Sequence, residues 1–274
     1  MRDCVRLIVV VNLVFVFILS LSGATTGLLS ELIYFAAFFV PTAFALLGAR
    51  GESGGLKSVA VELKELANPK KRKLLFALPL VFPTVFLVAL VSLVTSLLLN
   101  RFGFASPVVA DAPLVLMLLE HALVSTLMEE MLFRLVPLLL LRKISGKSCI
   151  FYSSLFFALI HCNLFQIPYA FIAGAIFMIV DLACDSIIPS LIFHFVNNAV
   201  SVVSIKYFTD ADGVLVYMII LGALAAVSLV ACFICRKAIK EGLLGAFFGK
   251  IDFACPSALA LVIPTLLVAI TNLF

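Results

Sequence analysis

Apolar positions in this chain run in long unbroken blocks, without the two-residue alternation of strands or the one-sided stripe of a soluble helix. Nine blocks stand out, at 5–22, 28–47, 74–99, 113–141, 149–161, 168–183, 187–205, 214–235 and 254–274. A hydrocarbon core about 30 Å thick takes about 20 helical residues to cross, and most of the blocks come close to that length. The blocks at 149–161 and 168–183 are short, and the polar stretch 163–166 between them predicts a turn at or inside the membrane. A membrane barrel is excluded, because its strands would alternate apolar and polar residues. The pattern predicts an all-α polytopic membrane protein. Eight to nine transmembrane helices would enclose an intramembrane polar cavity, within a single membrane domain over residues 1–274.

Composition supports the same class. The chain is 64% hydrophobic and 12% charged, with a mean hydropathy of +1.27, whereas soluble domains run at about 45–50% apolar and about 25% charged. The basic residues add an orientation. Arg2 and Arg6 precede the first block, 70–73 precede the third, Arg142, Lys143 and Lys147 follow the fourth, and Arg236, Lys237 and Lys240 follow the eighth. With nine spans and a cytoplasmic N-terminus all four clusters fall on one side, as the positive-inside rule requires. The expectation is a multi-pass protein of the plasma membrane with its N-terminus in the cytoplasm. The net charge of +4 then faces lipid headgroups, and nucleic acid is not an expected partner.

Smaller features change the picture little. The first 24 residues imitate a secretory signal, but a second apolar block follows at once, so an uncleaved first span is expected. The loop 48–73 opens with Gly51, Gly54 and Gly55; its 59–66 part fits either a short amphipathic helix on the inner surface or a solvated connector. Seven cysteines, an odd number, argue against a disulfide framework. The pair Cys232 and Cys235, inside an apolar block, reads as small buried hydrophobes. Gly174 fits close helix packing, and Asp181 and Asp185 read as interface residues by position.

The candidate chemistry begins with Glu129 and Glu130 in the middle of the fourth block. An intramembrane carboxylate costs at least about 2.5–3.5 kcal/mol, and such residues mark functional cavities. Arg134 lies four residues after Glu130, on the same helix face and in the favoured order for an ion pair. Glu129, turned by about 100°, is left for another face. The partners for it come from later blocks. Counted from the inner block edges, Glu129 and His161 each lie about 18 Å deep and His194 about 10 Å, at 1.5 Å rise per residue. Asn198 shares a helix face with His194. His121 lies about 12 Å above Glu129 on the fourth helix, too far to share its site.

Three chemistries fit this layer. Glu129 can be a general base that activates water with help from His161, while His194 and Asn198 donate to an oxyanion. Alternatively His161, His194 and Glu129 can hold zinc, with water completing the tetrahedron. Intramembrane carboxylates and histidines also mark proton or ion pathways.

The set Glu129-Glu130-x-x-x-Arg134, Phe157-x-x-x-His161 and His194-x-x-x-Asn198 resembles the CAAX protease and bacteriocin-processing family of intramembrane proteases, whose prokaryotic members are also called Abi proteins. The stretch 186–190 is similar to the family's lead into its last motif. The likeness covers about 113–205. It implies an eight-helix membrane fold with a conical cavity open to the cytosol and sideways to lipid. It implies that Glu129 and His161 activate water, that His194 and Asn198 form an oxyanion hole, and that Glu130 and Arg134 support them. No cofactor is expected on that mechanism; zinc is the alternative. The expected partners are membrane lipid and a peptide or membrane-associated protein substrate. The expected function is an intramembrane endopeptidase acting near the cytoplasmic half of the bilayer. A non-proteolytic immunity or scaffold protein of the same family and a proton-coupled transporter are the alternatives.

Overall fold

The computed structural model describes residues 2–23, 26–53, 56–69, 71–105 and 112–251. The last apolar block, 254–274, lies outside the described residues, as do Gly54, Gly55 and Lys70. The described chain is helical from end to end: α1 (Arg2–Gly23), α2 (Leu28–Ser53), α3 (Leu56–Leu66), α4 (Lys71–Ala77), α5 (Val81–Arg101), α6 (114–141), α7 (Gly146–Leu159), α8 (Ile167–Cys184), α9 (Ile188–Tyr207), α10 (Ala211–Ile234) and α11 (Arg236–Ala246). Among the described residues there is no strand. Helices suit a hydrocarbon solvent because they satisfy every backbone polar group internally.

Among the described residues six helices are long and apolar enough to cross a membrane: α1, α2, the run 73–101 formed by α4 and α5, α8, α9 and α10. Helix α6 has the length but not the regularity. Its turns widen to the π form at Leu118–Val124 and again at Met131–Leu135, bracketing the α-helical stretch Ser125–Glu130. Such π segments occur often at functional sites, and these two flank the paired glutamates. Helix α7 is short, as its apolar block predicts, and ends at Leu159. The turn after it is built by Asn163, whose side-chain oxygen accepts from the Phe165 N–H at 2.9 Å and whose carbonyl accepts from Gln166 and Ile167.

Two apolar cores meet around α8. One joins α1 and α2 to the inner half of α6 and to α7, through residues such as Phe15, Phe38, Phe133 and Phe157. The other joins α5, α9 and α10 to α8 through Val85, Phe177, Phe193 and Leu221. Gly174 makes the α7–α8 approach possible: a Cβ there would stand 3.0 Å from Ser154 Cα and 3.2 Å from the Phe157 ring. The close packing expected of that glycine is present.

The segment after α2 is more than a connector. Helix α3 forms, and its Glu62 is buried against the end of α6, where it pairs with Arg142 and with Lys143, each at 3.0 Å. The Leu66 carbonyl at its end accepts the Ser186 hydroxyl at 2.6 Å and the Ile187 N–H at 3.1 Å. Lys73 reaches Asp185 at 2.8 Å. The basic end of the bundle is thus stapled to the α8–α9 corner, which matters because α9 carries His194.

Candidate active site

The polar residues of the fourth block sit where the two apolar cores meet. Glu130 and Arg134 are both fully buried, and the Arg134 Nε lies 3.5 Å from the Glu130 Oε2. The expected ion pair along α6 is present even though the helix widens beneath it. Arg134 Nη1 donates to the Ser153 hydroxyl at 2.9 Å and to the Phe133 carbonyl at 3.1 Å. Its guanidinium lies 4.5 Å from the Phe157 ring centroid and 5.6 Å from that of Phe177. Aromatic faces attract a weakly hydrated guanidinium, so one ring from each core helps to hold the charge.

His194 ties the two glutamates together. Its Nδ1 stands 2.8 Å from Glu130 Oε1, and its Nε2 stands 3.6 Å from Glu129 Oε2. The helix-face argument separates the two carboxylates. The structure places one imidazole between them, so that they act on opposite nitrogens of the same ring. Their surroundings still differ. The Glu130 side chain is 0% exposed and that of Glu129 13%, so Glu129 is the carboxylate that water can reach.

His161 does not make hydrogen-bond contact with Glu129. It lies just beyond the end of α7, before Cys162 at a φ of 45°, and its ring packs edge-on against Phe157 at 5.3 Å. Phe157 also meets the ring of His194 at 5.4 Å, so the two histidines flank one aromatic ring. A second ring, Phe177, packs on His194 at 5.4 Å. The imidazole therefore has little freedom to turn.

Asn198 lies one turn further along α9 and donates from Nδ2 to the His121 carbonyl at 3.1 Å. The same carbonyl accepts the Ser125 hydroxyl at 2.6 Å, while the Ser125 N–H bonds the Glu120 carbonyl across the first π segment. Asn198 Oδ1 accepts from Asn197 at 3.3 Å. One N–H of the Asn198 amide remains for a ligand, since the group has two. The His121 side chain is exposed, and only its backbone enters the network.

Asp181 differs from its expected role as an interface residue. It is fully buried, and its Oδ1 accepts the Ser190 N–H at 2.9 Å. The Ser190 hydroxyl donates to the Ile187 carbonyl at 2.9 Å. Asp185, by contrast, is exposed, and its left-handed φ of 52° ends α8.

Among the described residues no group of three His, Cys, Asp or Glu side chains is placed to hold a metal ion. His194 Nδ1 is taken by Glu130, while Nε2 faces Glu129 across 3.6 Å without a hydrogen bond. A cavity of about 590 Å³ lies apart from these residues, under α3, with Ala49, Val61, Glu62, Leu140 and Lys143 in its wall.

Residues 111–200 match the family model described as type II CAAX prenyl endopeptidase Rce1-like. No curated protein and no solved structure matches the chain. The matched stretch runs from the start of α6 to just past Asn198 and holds every residue of the glutamate–histidine cluster. In that stretch, about a third of its length, the chain is similar to the Rce1-like CAAX endopeptidases, and the stretch lies within a multi-pass, all-α membrane fold.

Proposed function

We propose that this protein is an intramembrane endopeptidase that hydrolyses a peptide bond in a membrane-associated substrate, near the cytoplasmic half of the bilayer. The observation that carries the reading is the His194 imidazole held between Glu130 and the partly accessible Glu129. Glu129 is the general base: its carboxylate takes a proton from water as the oxygen attacks the scissile carbonyl, and it returns that proton to the leaving amine nitrogen as the C–N bond breaks. His161, across Phe157 from His194, completes the water-binding side. Glu130, paired with Arg134, accepts from His194 Nδ1 and fixes the ring. General base catalysis is worth about 10²–10⁴-fold.

The oxyanion side follows from the donors that remain. The second N–H of Asn198 is one. His194 Nε2 is the other, and this role has a condition. With Nδ1 donating to Glu130, Nε2 donates only when the ring carries both protons. The proposal therefore includes a doubly protonated His194 at the step where the oxyanion forms. It uses no metal: Nε2, the nitrogen that zinc would take, is given to the oxyanion instead. The family description supports a prenylated CAAX-type substrate as the first probe. The orientation that suits it puts the basic ends of the helices, and the N-terminus, on the cytoplasmic side of the plasma membrane.

The test is a cleavage assay in reconstituted bilayers on Glu129→Gln, His161→Ala, His194→Ala and Asn198→Ala, with expression and folding checked. All four should lose about 10²-fold or more. Wild-type rates in all four would end the protease reading and favour a scaffold or immunity protein that keeps the same polar cluster.

A further inference from the structure

Asp181 and Ser190 lie outside the three motifs, yet they meet at the start of the helix that carries His194 and Asn198. A helix N-terminus leaves its first N–H groups without intrahelical partners, and in a bilayer no water is at hand to take them. Helix α9 settles each one. The Ile187 N–H goes to the Leu66 carbonyl at 3.1 Å, and the Ile188 N–H to the Ser186 hydroxyl at 3.2 Å. Pro189 has none to place. The Ser190 N–H goes to Asp181 Oδ1, which comes from α8. The α9 N-cap residue, Ile187, offers no side-chain bond of its own. Asp181 is therefore a cap supplied by a neighbouring helix, and its negative charge suits the positive end of the α9 dipole.

Ser190 then links this cap to the site. It stands four residues before His194, on the same face of α9. Its N–H is held by Asp181 and its hydroxyl donates back to the Ile187 carbonyl at 2.9 Å, so the first turn of α9 is fixed one turn before His194, whose Nδ1 meets Glu130. Asp181, Ser190, Glu130 and His194 thus form a buried series from three helices, α8, α9 and α6. All four residues are classed as buried, with His194 the most exposed at 3%. A buried carboxylate is costly unless it is hydrogen-bonded, and Asp181 has one oxygen, Oδ2, with no hydrogen bond. The mechanism above makes no use of it.

We propose that Asp181 and Ser190 are positioning residues: Asp181 sets the register of α9 against α8, and Ser190 passes that register to the Glu130–His194 pair. This rests on the peptidase reading of the same site. Displacing a reacting group by about 1 Å can cost about 10²-fold in rate, so a helix start held by one side chain is enough to matter.

The test uses the full-length protein in lipid nanodiscs, with a quenched fluorescent farnesyl-CAAX peptide as probe and ¹⁵N-labelled histidine as a second readout. Asp181→Leu should lower kcat about 10²-fold with KM within about twofold, and should shift the His194 ring nitrogen signals. Asp181→Asn keeps an acceptor for the Ser190 N–H, so it should restore kcat to within about tenfold together with the His194 signals. Ser190→Ala keeps the N–H cap and loses the hydroxyl bond to the Ile187 carbonyl, so it should shift the His194 ring signals less than Asp181→Leu does and lower kcat about tenfold. If Asp181→Leu does not fold, Asp181→Asn and Ser190→Ala decide. A wild-type kcat and unmoved His194 signals in Asp181→Leu, or in Ser190→Ala, would overturn the proposal. If the wild-type protein leaves the peptide intact, the peptidase reading fails. The His194 signals then judge the positioning role by themselves: moved in Asp181→Leu and restored in Asp181→Asn, they uphold it.

Discussion

His194 and Glu130 are joined through Nδ1 and Oε1 at 2.8 Å, in a place where neither side chain is more than 4% exposed. This contact makes Glu130 more than the partner of Arg134. It sets which ring nitrogen of His194 points back into the protein and which points to Glu129. A change at Glu130 or Arg134 should therefore act on stability and on the site together.

For stability, the buried ion pair gives a signed expectation. Removing one partner of such a pair costs about 3–5 kcal/mol, because it leaves a charge without compensation, while replacing both costs less. Arg134→Met should therefore lower the unfolding midpoint in detergent strongly, and Glu130→Gln/Arg134→Met should recover most of the loss. The phenyl faces of Phe157 and Phe177 suit a methionine as well as a guanidinium, which keeps the double variant packed. Equal midpoints for the single and double variants would show that the pair carries no such penalty.

Gly174 offers a way to move the site without touching it. A larger residue there meets Ser154 and the Phe157 ring at once, and Phe157 is the ring that both histidines pack against. Overpacking of this kind costs about 1–3 kcal/mol. Gly174→Leu should stay folded at low temperature and lose activity by more than its stability loss explains, as read from kcat measured well below its unfolding midpoint. Activity that merely tracks the folded fraction would mean that Phe157 has no part in placing the histidines.

Metal content separates the two hydrolytic schemes. Protein purified without chelator, then dialysed against one, should keep its activity and hold zinc far below one ion per chain. Stoichiometric zinc that disappears in His161→Ala and His194→Ala would replace the glutamate mechanism with the zinc one.

Much of the architecture was legible in the block pattern, because a chain that must satisfy its backbone inside lipid has few options. The helices, the short α7, the turn at 163–166 and the Gly174 contact all follow from residue type and spacing. The Glu130–Arg134 pair was legible for the same reason: four-residue spacing is a local property. What spacing leaves open is the way helices lean on each other. Glu129 and Glu130 were assigned to different faces, and that geometry is correct for one helix. The insertion of His194 from α9 between them depends on tertiary packing, which no local rule contains. The π segments of α6 were likewise unreadable, since their sequence is as apolar as the rest.

Asp181 is the instructive miss. It carries the same signal as Glu129, a carboxylate within an apolar block, but it lies near the block's end and was read as interfacial. The corner between α8 and α9, capped by α3 from a distant part of the chain, buries that end. Ser190, four residues before His194, could have been found from spacing alone. Its value becomes visible only once Asp181 is seen to hold its N–H.

The most direct measurement is hydrolysis itself. Wild-type protein in nanodiscs, given a farnesyl-CAAX peptide in ¹⁸O water, should release a carboxyl-terminal tripeptide and leave one ¹⁸O on the new carboxylate. Glu129→Gln, folded and with its His194 ring signals present, should lower that rate by about 10²–10⁴-fold. Cleavage by Glu129→Gln at the wild-type rate would contradict the assignment of Glu129 as the base that activates water.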